Sequence, residues 1–187
     1  MPPLTRKPTP DEIRAAAGNT VRDVVAPGLR VLFCGINPGL YTAAVGHHFA
    51  RPGNRFWPAL FAASITPRLF SPFDERLLLP LGYGITNVVA RATVGENDLT
   101  PAELAAGGQR LARKVRRLRP RCLVLLGVGA YRSAFARPKA QFGRQPETLG
   151  DTVLWVLPNP SGLNAHYQLE ALARLLGEVR AAFADGD

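Results

Sequence analysis

The stretch "LRVLFCGIN", residues 29–37, decides the architecture. Its apolar run is continuous rather than alternating, the mark of a strand covered on both faces and so of a parallel sheet flanked by helices. The chain leaves it into "GINPGLYTAAVGHHFARPGNRFW" (35–57), with four glycines, two asparagines, four aromatic rings and no acid. A loop that only turns a corner needs fewer residues. This one has the composition to hold something flat and polar.

Outward from that strand, helices and strands alternate. "GNRFWPALFAAS" (53–64) predicts a helix opening at Asn54, with Pro58 in the first turn, where a missing N–H costs little. "DERLLLPLGYGITNVVAR" (74–91) predicts a helix and then a strand from Gly84 to Val89. "TPAELAAGGQRLARKVRRLRP" (100–120) is the clearest helix: Thr100 caps it, Pro101 takes the first position and Glu103 completes a capping box. "RCLVLLGVG" (121–129) and "TVLWVLPNPSG" (152–162) are strands, and "HYQLEALARLLGEVRAAFAD" (166–185) is an amphipathic closing helix. Upstream, "DEIRAAAGN" predicts a short helix stopped near Gly18 and Asn19, after a proline-rich loose arm over residues 1–10. The expected fold is α/β: a three-layer α/β/α sandwich around a short, mainly parallel sheet, in one domain over residues 1–187.

Composition bounds the function. At 187 residues with 47% hydrophobic and 20% charged residues, the chain is globular rather than disordered. The net charge of +9 is carried mostly by arginine, which favours polyanions, nucleic acid first among them. Cys34 and Cys122 sit in apolar runs with no Cys or His at metal spacing, so no metal and no cofactor are expected, and both read as buried thiols of a reducing compartment. No apolar stretch reaches membrane length, and the N-terminus lacks a signal peptide's apolar centre. The expected setting is a reducing, intracellular one.

Two segments, "GINPG" and "LPNPSG", follow strand ends, and the carboxyl ends of parallel strands are where open α/β sheets bind ligands. Neither is a P-loop, a GxGxxG fingerprint or a GxSxG elbow. His47, His48 and His166 lack the spacing of a zinc pair.

These segments carry a resemblance. "GINPG" (35–39), "GHHFARPGNRFW" (46–57) and "NPSGLN" (159–164), supported by "GITNVVAR" (84–91) and "AGGQRLARKVRRLRP" (106–120), resemble the mismatch-specific uracil/thymine DNA glycosylases of the uracil-DNA glycosylase superfamily. The similarity runs from about Leu29 to the last helix. It implies a monofunctional enzyme that flips uracil out of duplex DNA, especially from G·U mismatches, and hydrolyses its N-glycosidic bond. It also implies double-stranded DNA containing uracil or mismatches as partner, a monomeric enzyme, and a setting in the bacterial cytoplasm at the nucleoid through DNA binding.

By the same resemblance, Asn37 holds the attacking water and Phe49 stacks on the base. Gly35, Ile36, Gly39 and Leu40 supply the turn around the uracil edge, and Thr42, beside Ala43 and Ala44, meets C5 of the pyrimidine, leaving room for a substituent. Asn159 lines the site, Ser161 contacts the backbone, and Gly162 with Leu163 forms the wedge that fills the vacated stack. Asn164 faces the widowed base, although the family often has an arginine just beyond the leucine. The family often has an acid where this chain has Ala90. Asp98 is the nearest acid able to compensate, with a turn residue as its plainer reading.

Each residue taken singly also has a structural reading: Asn37 as a turn cap, Phe49 as core, His47 and His48 as structural or near a phosphate. Arg113, Lys114, Arg116 and Arg117 read first as the solvated face of a helix. A non-catalytic nucleic-acid-binding domain of the same fold is the competing function, and Ala90 is the feature that favours it. A hydrolase of free nucleosides is disfavoured by the wedge-like Leu163, because nucleosides have no stack to invade.

Overall fold

The structure is a computed structural model that describes residues 7–184. Five strands form one sheet in the order β2-β1-β3-β5-β4: β1 (Val31–Gly35), β2 (Tyr83–Asn87), β3 (Cys122–Leu126), β4 (Gly143–Leu149) and β5 (Thr152–Leu157). β2, β1, β3 and β5 are parallel, and β4 closes the edge antiparallel to β5. The helices are α1 (Pro10–Ala15), α2 (Leu40–Val45), α3 (Phe56–Ala62), α4 (Pro101–Leu118), α5 (Val128–Ala134) and α6 (Leu169–Ala182).

The strands are buried on both faces, as the unbroken apolar runs require. Val31, Phe33, Ile85 and Val124 face α3 and α6, while Leu32, Cys34, Leu123 and Leu125 face α4 and α5. Fully burying one such side chain is worth ~1.5–3 kcal/mol, so the two layers together hold the sheet. The three-layer α/β/α sandwich expected from the sequence is the fold observed. Cys34 and Cys122 are free and buried in it. No described helix is long and apolar enough to cross a membrane.

Four expectations change. The helix expected from residue 74 is a ten-residue 3₁₀ helix, Pro72–Leu81, and Pro80 near its end has no N–H for an α-helical bond to Arg76. The loose arm is shorter than residues 1–10: Thr9 caps α1 in a capping box with Glu12, and Pro10 is already helical. The rest of that arm, residues 1–6, lies outside the described residues, as does the last residue of the expected closing helix. The helix expected to open at Asn54 begins at Phe56, with the Asn54 side chain accepting from the Phe56 N–H at 2.9 Å. β4 was not expected, since "GRQPETL" is polar and carries Pro146; that pattern suits an edge strand, and its register shifts between Arg144 and Thr148.

Candidate active site at the carboxyl edge of the sheet

The chain crosses from β1 to β2 on one side and from β3 toward β5 on the other. The carboxyl ends of β1 and β3 therefore diverge around a crevice, the usual ligand position in such a sheet. A cavity of about 510 Å³ occupies it. Its floor is residues 35–39, its walls are Thr42, His48, Phe49 and Asn87, and its rim is formed by residues 93–97 and by the loop after β5.

Asn37 is the best-anchored polar group on the floor. Its Nδ2 donates to the Arg91 carbonyl at 3.1 Å and to Thr93 Oγ1 at 2.7 Å. Thr93 in turn donates to the Gly95 carbonyl at 2.7 Å, which leaves its oxygen as acceptor toward Asn37. Both amide hydrogens are thereby used and the flip state is set, leaving Oδ1 as the amide's open hydrogen-bonding atom. Backbone bonds repeat the stitch: the carbonyls of Gly35, Ile36 and Pro38 accept from Val88, Val89 and Thr93.

Phe49 forms one wall. Its ring stacks on Phe56 with centroids 4.0 Å apart, and Phe56 meets Phe33 edge-on at 5.5 Å, so an aromatic column rises from the sheet into the cavity wall. Phe49 holds a left-handed φ of 54°, a conformation costing a non-glycine residue ~1–2 kcal/mol. The flanking contacts maintain it: His48 and Trp57 are buried, and Trp57 Nε1 donates to the His48 carbonyl at 3.1 Å. Gly35 sits below this ring in register with Asn87 of β2. A Cβ at Gly35 would collide with Asn87 Oδ1 and come within 3.4 Å of Phe49, so glycine is required there for space. The Asn87 side chain makes no hydrogen bond among the described residues and lines the cavity, giving an uncommitted donor and acceptor beside the ring.

A family model described as the uracil DNA glycosylase superfamily matches residues 22–180. The chain belongs to that superfamily. Its reaction class is therefore hydrolysis of the N-glycosidic bond, and its substrate class is DNA.

The glycosylase's rim loop is organised differently from its floor. Asn159 Oδ1 accepts from the Ser161 N–H, Ser161 Oγ accepts from the Leu163 N–H, and Asn164 Nδ2 donates to the Asn159 carbonyl. From outside, Arg55 donates to the Ser161 and Asn164 carbonyls, both at 3.0 Å, and its backbone N–H reaches the Pro160 carbonyl. Gly162 packs so closely that a Cβ would lie 2.5 Å from the Gly53 carbonyl oxygen. Held this way, Leu163 projects at the cavity rim with its residue 75% exposed.

Some residues named from the sequence stand elsewhere. Gly35, Ile36, Asn37, Gly39, Thr42, Phe49, Asn159, Ser161, Leu163 and Asn164 all line the cavity. Leu40 does not: it packs with Ala16, Val21, Ala43, Ala44 and Ala92 between α1 and α2, which also removes Ala43 and Ala44 from the pocket. Asp98 is off the wall, its carboxylate accepting from the Gly95 N–H and closing its own 3₁₀ turn. Asn164 has its amide engaged by Asn159 and by the His166 N–H, so it braces the loop. Ala90 is exposed and does not line the cavity. The neighbouring Arg91 is held by Glu103 instead, at 2.6 and 3.0 Å, and that bond pushes the Glu103 carboxyl down to about 2.

Among the lining residues that the sequence did not single out are Thr93, Asn87 and Glu96. Thr93 lies 56 positions from Asn37, and nothing local marks it. Asn87 carried a usable signal, an amide ending a strand beside the Gly35 strand. Glu96 is the only acid on the cavity wall among the described residues. His48 also lines the cavity. Its Nε2 lies 3.1 Å from the Arg22 carbonyl, which assigns the proton to Nε2, and burial keeps its pKa below the ordinary 6.5. His47 Nδ1 and the His48 N–H both bond the buried Glu75 carboxylate. Among the described residues no cluster of His, Cys, Asp or Glu could hold a metal ion.

Proposed function

We propose that the protein is a monofunctional, mismatch-directed uracil-DNA glycosylase that acts as a monomer on one folded domain, with uracil opposite guanine as its principal target. The supporting observation is the pairing, in one cavity, of an asparagine whose amide nitrogen is fully committed with an aromatic ring backed on one side only.

Each part then has a role. Leu163 enters the duplex and occupies the gap as the target nucleotide rotates out, replacing lost stacking without an unpaired polar atom. Uracil slides against Phe49, and the Asn87 amide meets its N3–H and O4 edge. Asn37 Oδ1 accepts a hydrogen from a water aimed at C1′. As the C1′–N1 bond breaks, its electron pair leaves with the base as a uracil anion, and the water oxygen bonds C1′. An amide orients that water but cannot take its proton, which passes to solvent, so turnover is slow. Thr42 beside C5 leaves a small margin for 5-substituted uracils; a methyl is worth only ~1–3 kcal/mol of discrimination. No lysine lines the cavity among the described residues, and Lys114 is paired with Asp23, so base release proceeds without a Schiff base or strand cleavage.

Ala90, the feature that favours the competing binder reading, is exposed and does not line the cavity, which supports the enzyme reading. A single-turnover assay on a labelled duplex with one G·U pair, against a G·C control, tests the proposal. Strand breaks appearing only after alkali, and only with uracil, are expected. Intact DNA at enzyme excess despite tight binding would overturn it in favour of a binding domain.

A further inference from the structure

The arginines of α4 are the part of the molecule that the active site leaves unused. Between Arg110 and Arg121 the chain has six arginines and Lys114 and no acid. Lys114 is neutralised by Asp23. Arg110, Arg113, Arg116, Arg117 and Arg119 are exposed, and their side chains make no hydrogen bond or ion pair among the described residues. Elsewhere Arg68, Arg91, Arg137 and Arg174 are each matched by a carboxylate, and the exposed arginines without one, such as Arg22, Arg51, Arg76, Arg144 and Arg180, are scattered along the chain rather than gathered on one helix.

The placement is one-sided. Leu111, Val115 and Leu118 bury the inner face of α4, whereas Arg110, Arg113 and Arg117 follow at spacings of three and four and form an outer stripe. The helix macrodipole favours Arg116 and Arg117 in the last turn, but it does not account for Arg110 and Arg113 in the middle.

The stripe also leads away from the lesion cavity. α4 starts beside that cavity, where Glu103 grips Arg91, and ends at the amino edge of the sheet, where Gly28 donates to the Leu118 carbonyl. At ~1.5 Å per residue, Arg117 lies roughly 24 Å down the flank from Pro101. A second cleft of about 580 Å³ at that far edge has Arg116 and Arg119 on its wall. The stripe thus runs along the flank from the carboxyl edge to the amino edge, and not along the cavity rim.

We propose that the outer face of α4 is a second, sequence-blind duplex-binding surface, able to hold another DNA segment while the cavity holds a lesion. Duplex DNA fits it because the duplex offers one charge per ~1.7 Å of axis, a spacing that a row of unpaired guanidinium forks can follow. The proposal rests on DNA being the substrate. Holding a second segment would let the enzyme pass between segments of DNA during search.

The test saturates the enzyme with an unlabelled duplex carrying an uncleavable abasic analogue, then adds a labelled undamaged duplex. A ternary complex is expected. In the Arg110→Gln, Arg113→Gln, Arg117→Gln triple variant the second duplex is lost, and the log K against log[salt] slope for undamaged DNA becomes shallower by about 3. Single-turnover uracil release at saturating enzyme stays unchanged, and the corresponding triple lysine variant regains the second duplex. No ternary complex with the wild type, or an unchanged slope in the variant, would overturn the proposal. So would uracil release falling in step with binding, which would put the stripe in the lesion footprint, or preference for phosphatidylglycerol vesicles over duplex. A ternary complex with no uracil release at all would count against the proposed function and leave this surface standing.

Discussion

The floor and the rim of the cavity are built by opposite means. On the floor, Asn37 is fixed by groups from a segment more than fifty residues away, so its amide cannot turn without breaking bonds to Arg91 and Thr93. On the rim, residues 159–164 are bonded mainly to one another, and the outside brace reaches them through backbone carbonyls. The floor thus specifies an atom, whereas the rim specifies a path and leaves a side chain free. The proposed roles match this difference: a group that aims a water needs the first arrangement, and a wedge that enters a stack needs the second.

The largest effect should come from the floor. Asn37→Ala should lower single-turnover uracil release by roughly 10²–10³-fold, the usual cost of losing a preorganised polar group, with affinity for uracil duplex unchanged. Parallel loss of rate and affinity would erase the contrast with the rim, because Asn37 would then be a binding residue. Arg55→Ala strikes the rim's brace. Three bonds from a charged donor go, two to the loop carbonyls and one to Gln168, each worth ~1.5–3 kcal/mol, so denaturant unfolding should show a clear loss of stability along with weaker DNA binding. Stability unchanged by this substitution would mean that the loop holds itself.

Leu163→Ala sharpens the comparison further. The side chain is mostly exposed in the free protein, so unfolding should be unaffected, while kcat/KM falls about tenfold through a poorer wedge. A fluorescent base analogue beside the target would report that loss as reduced flipping. If thermal unfolding drops instead, Leu163 is a packing residue.

The cavity wall has a pH signature. His48 is held neutral by burial, so its folded pKa lies below the unfolded 6.5. As pH falls through 6.5 the unfolded chain takes up a proton that the folded chain refuses, and stability declines. Unfolding curves between pH 7 and 5 should show this decline, and His48→Gln, which can still donate to the Arg22 carbonyl, should flatten it. The smallest effect belongs to Glu96, an exposed rim carboxylate. Glu96→Gln should tighten duplex binding slightly at low salt by removing a charge that repels phosphate. A collapse of the rate would instead make Glu96 the base that Asn37 is not, and move the chemistry from floor to rim.

Much of this was legible along the chain because it is local. The continuous apolar runs at 31–35 and 122–126 demanded cover on both faces, and the Thr100 capping box marked the start of α4. The short loops after β1 and β5 announced their unusual residues by type. α2, α5 and β4 were not legible. α2 and α5 are only six and seven residues long, and β4 is a polar edge strand carrying a proline.

What the sequence determined by itself was the alternation of layers, the positive charge and the two loops at strand ends, since periodicity and residue type depend on near neighbours. Tertiary structure alone decided which polar groups are free. Asn37 and Asn164 are the same residue type in similar loops, yet folding commits the nitrogen of one and leaves its oxygen available, and engages both ends of the other. Asp98 and Ala90, prominent in the sequence, fall off the wall, while Asn87 and Thr93 arrive on it from β2 and the loop beyond. The reason is that a hydrogen bond's partner is set by the position of distant backbone, and a strand register or helix crossing, not residue type, sets that position.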